Sequence, residues 1–172
     1  MVVQTPVRAA LVEAPLAAQR PSTGSGRTDC PSVVPGILRF AGYAAIFNRL
    51  DKGGDIIRPG AFGDLDEAKT LPLLWQHDPR QQIGRIDHVS EDRRGLRVIG
   101  LISTATRAGR DAAAGLASGA VKGLSFGYRV NRCSGQKPRE LIDLDVAEIS
   151  LVTYPMQQWA RVHHWDGLAD LT

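Results

Sequence analysis

Three short stretches carry side chains that could do chemistry together. In LLWQHDP, an apolar run leads through Gln76 to His77, followed by Asp78 and Pro79. Proline cannot donate to a strand ladder, so the pairing is expected to stop at Pro79 and leave the imidazole at a strand end, facing a cleft. An imidazole titrates near neutrality, so in such a place it is a general base, a metal ligand or an ordinary hydrogen-bonded side chain. In VKGLSFGYRV, strand alternation puts Leu124, Phe126, Tyr128 and Val130 on one bulky face. Gly123, Ser125 and Gly127 share the other, where no neighbouring side chain blocks the serine hydroxyl from a substrate backbone. The glycines equally suit close packing of another element, or a bulge. In DVAEISLVTYP, Glu148 interrupts an apolar strand, with Ile142, Leu144 and Val146 on its own face and Ile149 and Leu151 on the other. A carboxylate so placed is at least partly buried and needs a partner. That partner is either an imidazole or an arginine such as Arg129.

Several other chemistries find little support. GLSFG spells G-x-S-x-G, but the nucleophile elbow needs a strand, a sharp turn and a helix, and here the strand runs on through Tyr128. Of the four histidines, His88 falls in a hairpin strand and His163 and His164 near the C-terminal end; no HExxH or comparable ligand spacing appears, and no metal or other cofactor is expected. There is no glycine-rich phosphate loop. Cys30 and Cys133 have no partners at metal-ligand spacing and make no disulfide framework, so a reducing, intracellular setting is expected. A cysteine hydrolase would have to use Cys133, placed in the polar loop NRCSGQKP. A nuclease would need clustered carboxylates around a metal, which Asp143 and Asp145 alone do not supply.

The elements that must hold these residues are mostly strands. ILRFAGYAAIFN, TLPLLWQH, QQIGRIDHVSED, GLRVIGLIST, VKGLSFGYRVN and ELIDLDVAEISLVTYP read as strands, the third and fourth paired through EDRRG. RLDKGGDIIRPGAF reads as a turn-rich connection, and PGAFGDLDEAKT as a short helix with Pro59 early in it. The alanine-rich TRAGRDAAAGLASGAV predicts a helix ending near Gly119. QQWARVHHWDGLADLT is taken as a short tail. About six strands with one or two helices predict a mainly β fold with some α, a small antiparallel β-barrel or strongly twisted sheet flanked by a few helices. Few gaps are long enough for the crossover helices of a doubly wound fold.

The chain's 172 residues suit one domain, and 43% hydrophobic and 23% charged residues are ordinary for a globular protein. The net charge of +3 is scattered, with no basic stripe among aromatics, so no specific nucleic acid is expected as a partner. No apolar run reaches the ~20 residues of a membrane helix. Residues 1–35 end in RPSTGSGRTDCPSVVP and are expected to be disordered, with a folded domain over 36–165 and a short tail over 166–172. Glu13 and Pro15 interrupt the apolar part of VRAALVEAPLAA too early for a signal peptide.

His77, Ser125 and Glu148 together fit a fixed division of roles. The acid would hold the imidazole, the imidazole would take the serine proton, and the freed oxygen would attack a carbonyl. At this point a family resemblance enters. GYAAIFNRLDKGGDIIRPGAF, LLWQHDP with QIGRI, GLSFGY and EISLVTYP occur in the order that marks the prohead maturation proteases of tailed phages, a family also found in gene transfer agents. The resemblance covers roughly 38–155. That family is similar to the herpesvirus assembly proteases, which share a small β-barrel and a His-then-Ser order. The resemblance implies that the family's histidine falls on His77 and its serine on Ser125, with Glu148 as third member and Asp143 and Asp145 next in line. It also implies a serine endopeptidase acting on the major capsid protein and its scaffolding segment, in the cytoplasm inside the assembling prohead, with self-cleavage and self-association left open. Arg161 is the nearest analogue of an arginine associated with the oxyanion site. TYPMQQWARV departs from the family's usual turn after SLV. The rival reading is a non-catalytic assembly or scaffolding protein that keeps the protease fold.

Overall fold

The computed structural model describes residues 36–63, 65 and 70–166. Residues 1–35, expected to be disordered, lie outside the described residues, as do 167–172. Eight strands and one helix follow in chain order: β1 Ile37–Ile46, β2 Asp55–Ile57, β3 Leu71–Trp75, β4 Asp78–Glu91, β5 Gly95–Ser103, α1 Arg107–Ser118, β6 Gly123–Ser134, β7 Arg139–Val152 and β8 Arg161–Asp166. The protein is mainly β, as the strand patterning requires. Pairing runs from β7 through β3, β4, β5, β1 and β8 to β6, and β6 pairs again with β7; β2 lies against the N-terminal end of β7.

The expected β4–β5 hairpin is present, with Val89 opposite Val98 and Glu91 opposite Leu96. Most pairings are antiparallel, but β7 runs parallel to both β2 and β3, so the sheet is mixed rather than purely antiparallel. The long path from β3 through β4, β5, α1 and β6 supplies the crossover that parallel neighbours require. Two further expectations change. NRCSGQKPRE is not all loop: β6 continues through Cys133 to Ser134, and only four residues separate it from Arg139. The expected tail contributes β8, whose Val162 is buried and which pairs with β1. The segment read as a turn-rich connection contains β2. The helix expected over 59–70 falls partly outside the described residues, and 59–62 form turns.

Inward faces of the strands make one core, including Phe40, Leu73, Ile83, Leu96, Ile102, Leu124, Ile149 and Leu151. The helix α1 packs its Ala112, Ala113 and Leu116 into it. Its ends follow the sequence. Thr106 Oγ1 accepts from the Gly109 N–H at 3.0 Å, and Gly119 closes the helix at φ 75°, a left-handed conformation natural to glycine. Trp75, the last residue of β3, packs against the core from its edge.

Candidate active site

Everything at the site is organised by the C-terminal half of β7. In β6, Ser125 lies opposite Ser150 and Gly127 opposite Glu148. On the other side of β7, Leu74 of β3 lies beside Ser150 and Trp75 beside Leu151. Directly opposed residues of an antiparallel pair share a face. Ser125, Gly127, Glu148 and Ser150 therefore stand on one polar patch, while Leu124, Ile149 and Leu151 are wholly buried on the reverse side.

The imidazole reaches this patch by a turn, not by a strand end. Trp75 pairs with Asp78, and between them Gln76 and His77 have φ of 54° and 61°. Positive φ at both central residues is the pattern of a type I′ hairpin turn, whose twist suits the flanking strands. This corrects the expectation about Pro79. The proline does not end the pairing; it is the second residue of β4, and the chain reverses before it. Asp78 does not join the site. Its carboxylate accepts from the Arg80 N–H and guanidinium and from Gln81, and the Arg80 hydrogen bonds hold it well below the usual carboxylate range.

His77 Nδ1 lies 2.7 Å from Glu148 Oε1, with both side chains largely buried, 13% and 14% exposed. The other carboxylate oxygen, Oε2, accepts from Ser150 Oγ at 2.6 Å. The partner of Glu148 is thus an imidazole. Arg129, the alternative, is exposed and lies opposite Asp145. Sequence reasoning overlooked Ser150, although it stands two residues after Glu148 and so on the same strand face. A hydroxyl at that spacing from a half-buried acid was the available signal. Gly127 has a specific reason to be glycine: a Cβ there would lie 2.7 Å from Glu148 Oε1. The carboxylate occupies the space a side chain would take, which brings it across β6 to the residue two positions from Ser125.

Ser125 is buried, 6% exposed. Arg161 begins β8 opposite Gly123, hence on the Ser125 face of β6, and its exposed guanidinium carbon lies 6.0 Å from the centre of the Trp159 ring. The remaining candidates stand apart. Cys133 is exposed at the far end of β6, and Asp143 accepts from Asn131. His88 pairs opposite Ile99, His163 meets Tyr43 edge-on, and His164 meets Asp166. Among the described residues no group of three or more His, Cys, Asp or Glu side chains is placed to hold a metal.

An imidazole paired with a carboxylate, on the face of β6 and β7 that also bears a buried serine, supplies the three group types from which serine hydrolases are built. The chain belongs to the caudovirus prohead serine proteases: the family model matches residues 33–168. It is 30% identical over 132 residues to the prohead protease of Enterobacteria phage HK97, covering 72% of this chain and 58% of that one. Two solved structures are similar in fold at 15% identity. One is the protease of Kaposi's sarcoma herpesvirus with a hexapeptide phosphonate inhibitor, covering 77% of this chain and 65% of that one at a TM-score of 0.49. The other is the varicella-zoster virus protease, covering 76% and 64% at 0.47.

Proposed function

We propose that this chain is a serine endopeptidase of prohead maturation, with Ser125 as nucleophile, His77 as general base and Glu148 as the acid that orients it. The contact between His77 Nδ1 and Glu148 Oε1 carries the reading, because it lies on the face of β6 and β7 that bears Ser125. With Glu148 accepting a hydrogen bond from Nδ1–H, Nε2 is the basic nitrogen and takes the proton of Ser125 Oγ as that oxygen attacks the scissile carbonyl. The imidazolium, stabilised by the carboxylate, returns the proton to the departing amine. Water then enters by the same route in reverse and releases the acyl group from Ser125. Ser150 keeps one carboxylate oxygen occupied, so the other stays aimed at Nδ1. Arg161 is assigned to the oxyanion side through its place opposite Gly123.

Family membership supports the major capsid protein and its scaffolding segment as substrate, and action inside the assembling prohead. The closed sequence of pairings is read as a small barrel whose β6–β7 seam carries the site. Among the described residues no helix is long and apolar enough to cross a membrane. The rival reading, a non-catalytic scaffold, predicts no reactive serine. A fluorophosphonate should label the wild type and not Ser125→Ala. Co-expression with the neighbouring capsid gene should yield shortened capsid protein with the wild type only. Capsid cleavage by Ser125→Ala would overturn the proposal.

A further inference from the structure

The turn that presents His77 is made of residues poorly suited to it. Gln76 and His77 both have positive φ, a region unfavourable for a residue with a side chain. Asparagine and aspartate tolerate that region and glycine prefers it; glutamine has no such advantage. What Gln76 has is reach. Its backbone N–H donates to Leu151 O at 3.0 Å. Its side-chain Nε2 donates to Thr153 Oγ1 at 2.8 Å, and its Oε1 accepts from the Thr153 N–H at 3.2 Å. One exposed residue therefore makes three hydrogen bonds to Leu151 and Thr153, the two to Thr153 spanning 77 positions of the chain.

The place of these bonds matters more than their number. Leu151 and Thr153 lie three and five residues beyond Glu148, on the same strand and its immediate continuation. Fastening the turn there sets the imidazole against the carboxylate by the rigid spacing of β7 itself. An asparagine would fit the turn better but is one methylene too short to span to Thr153. The residue present favours the clasp over the turn.

We propose that Gln76 is a positioning residue: it clasps the β3–β4 turn to the end of β7 and thereby holds His77 on Glu148. The inference rests on the catalytic roles proposed above for His77, Glu148 and Ser125. Small displacements of a catalytic group cost up to about 100-fold in rate, and a hydrogen-bonded clasp guards against them.

The test is the rate of labelling by a fluorophosphonate, followed by intact mass, together with the melting temperature. Gln76→Asn relieves the turn and removes the two side-chain bonds of the clasp while keeping the backbone bond to Leu151. It should melt no lower than the wild type yet label about tenfold more slowly. Gln76→Glu keeps an oxygen for the Thr153 N–H and another to accept from the Thr153 hydroxyl, so it should label within about threefold of the wild type. A structural role alone would not separate these two variants in that order. The inference is overturned if Gln76→Asn labels within threefold of the wild type, or if Gln76→Glu is as slow as Gln76→Asn. Should Gln76→Asn fail to fold, Thr153→Val decides. It removes the acceptor of the Gln76 amide and leaves the turn sequence intact; slower labelling supports the clasp, and wild-type labelling defeats it. Labelling that persists in Ser125→Ala would instead overturn the proposed function, and is read separately.

Discussion

β7 holds a carboxylate cluster at each end, and the two make a useful comparison. At its N-terminal end Arg139 grips Asp55 of β2, with Nε 2.9 Å and Nη2 2.5 Å from the two carboxylate oxygens, and Tyr128 OH donates to Asp55 at 3.4 Å. At its C-terminal end Glu148 meets His77 at 2.7 Å and Ser150 at 2.6 Å. In both, each oxygen of a largely buried acid is occupied and a hydroxyl completes the set. The difference is the nitrogen partner. A guanidinium keeps its protons at any pH a protein survives, so the Asp55 cluster can only hold β2 against β7. An imidazole, unlike a guanidinium, is a side chain that can serve as a base, and the role proposed for His77 uses that difference. On the roles proposed for His77 and Glu148, the same strand carries a staple and a reactive pair, separated by the chemistry of one partner.

If this contrast is right, mutations at the two ends should fail in different assays. The largest effect is expected at the reactive end. Ser125→Ala and His77→Ala should each lower capsid cleavage by on the order of 10⁴-fold or more while the melting temperature stays within a few degrees. His88→Ala, on β4, should be nearly silent; a reversal between the two histidines, read by the mass of the co-expressed capsid protein, would break the assignment. Glu148→Gln keeps shape and removes charge, so cleavage should slow by roughly 10²- to 10⁴-fold with the fold retained. Combined with Ser125→Ala it should add nothing. Gly127→Ala belongs with it: a Cβ 2.7 Å from Oε1 must push the carboxylate off the imidazole. Ser150→Ala should cost less, about tenfold, since one of two oxygens loses its donor.

At the other end the loss should appear in stability. Asp55→Asn leaves Arg139 without its counter-charge and should cost about 1–3 kcal/mol in urea unfolding, less than a fully buried pair because Arg139 is 29% exposed. Cleavage per folded molecule should not change. Tyr128 sharpens the contrast through pH. Burial, and then the charge of Asp55, push its hydroxyl up to about 12, against about 10 in an unfolded chain. A group raised on folding contributes stability that is complete below pH ~10 and is lost as pH rises toward 12. Tyr128→Phe should flatten that alkaline loss; unfolding curves at pH 9 and pH 11.5 would show it, and an unchanged slope would place the alkaline sensitivity elsewhere. The smallest effect is expected from removing residues 1–34. Gly36 is anchored by its N–H to Thr104 Oγ1 at 2.7 Å, so a chain starting at Pro35 keeps that bond and should melt like the full protein. A fall of more than a few degrees would show that the removed residues pack on the domain.

Much was legible in the sequence because it depends on near neighbours. Alternation marked the strands and the inward faces of β6. Composition and a final glycine marked α1, and an acid among apolar residues marked Glu148 as a group in need of a partner. The chemistry-bearing types and their order pointed to the family. What the tertiary structure decided lies across long separations. The choice of an imidazole over a guanidinium for Glu148 joins residues 71 positions apart, and it depends on β3 lying parallel beside β7 in a particular register. The turn at Gln76 and His77 is held by bonds to Leu151 and Thr153, so local preference, which put the stop at Pro79, pointed to the wrong residue. β8 is a strand because β1 offers it an edge, while its own residues are mostly exposed and carry no alternation. A one-residue slip of β7 would turn Glu148 and Ser150 to the opposite face without changing any local pattern. Local propensity names the strands; only the packing of the whole sheet chooses the register that sets His77 on Glu148 and puts Glu148 on the same face as Ser125.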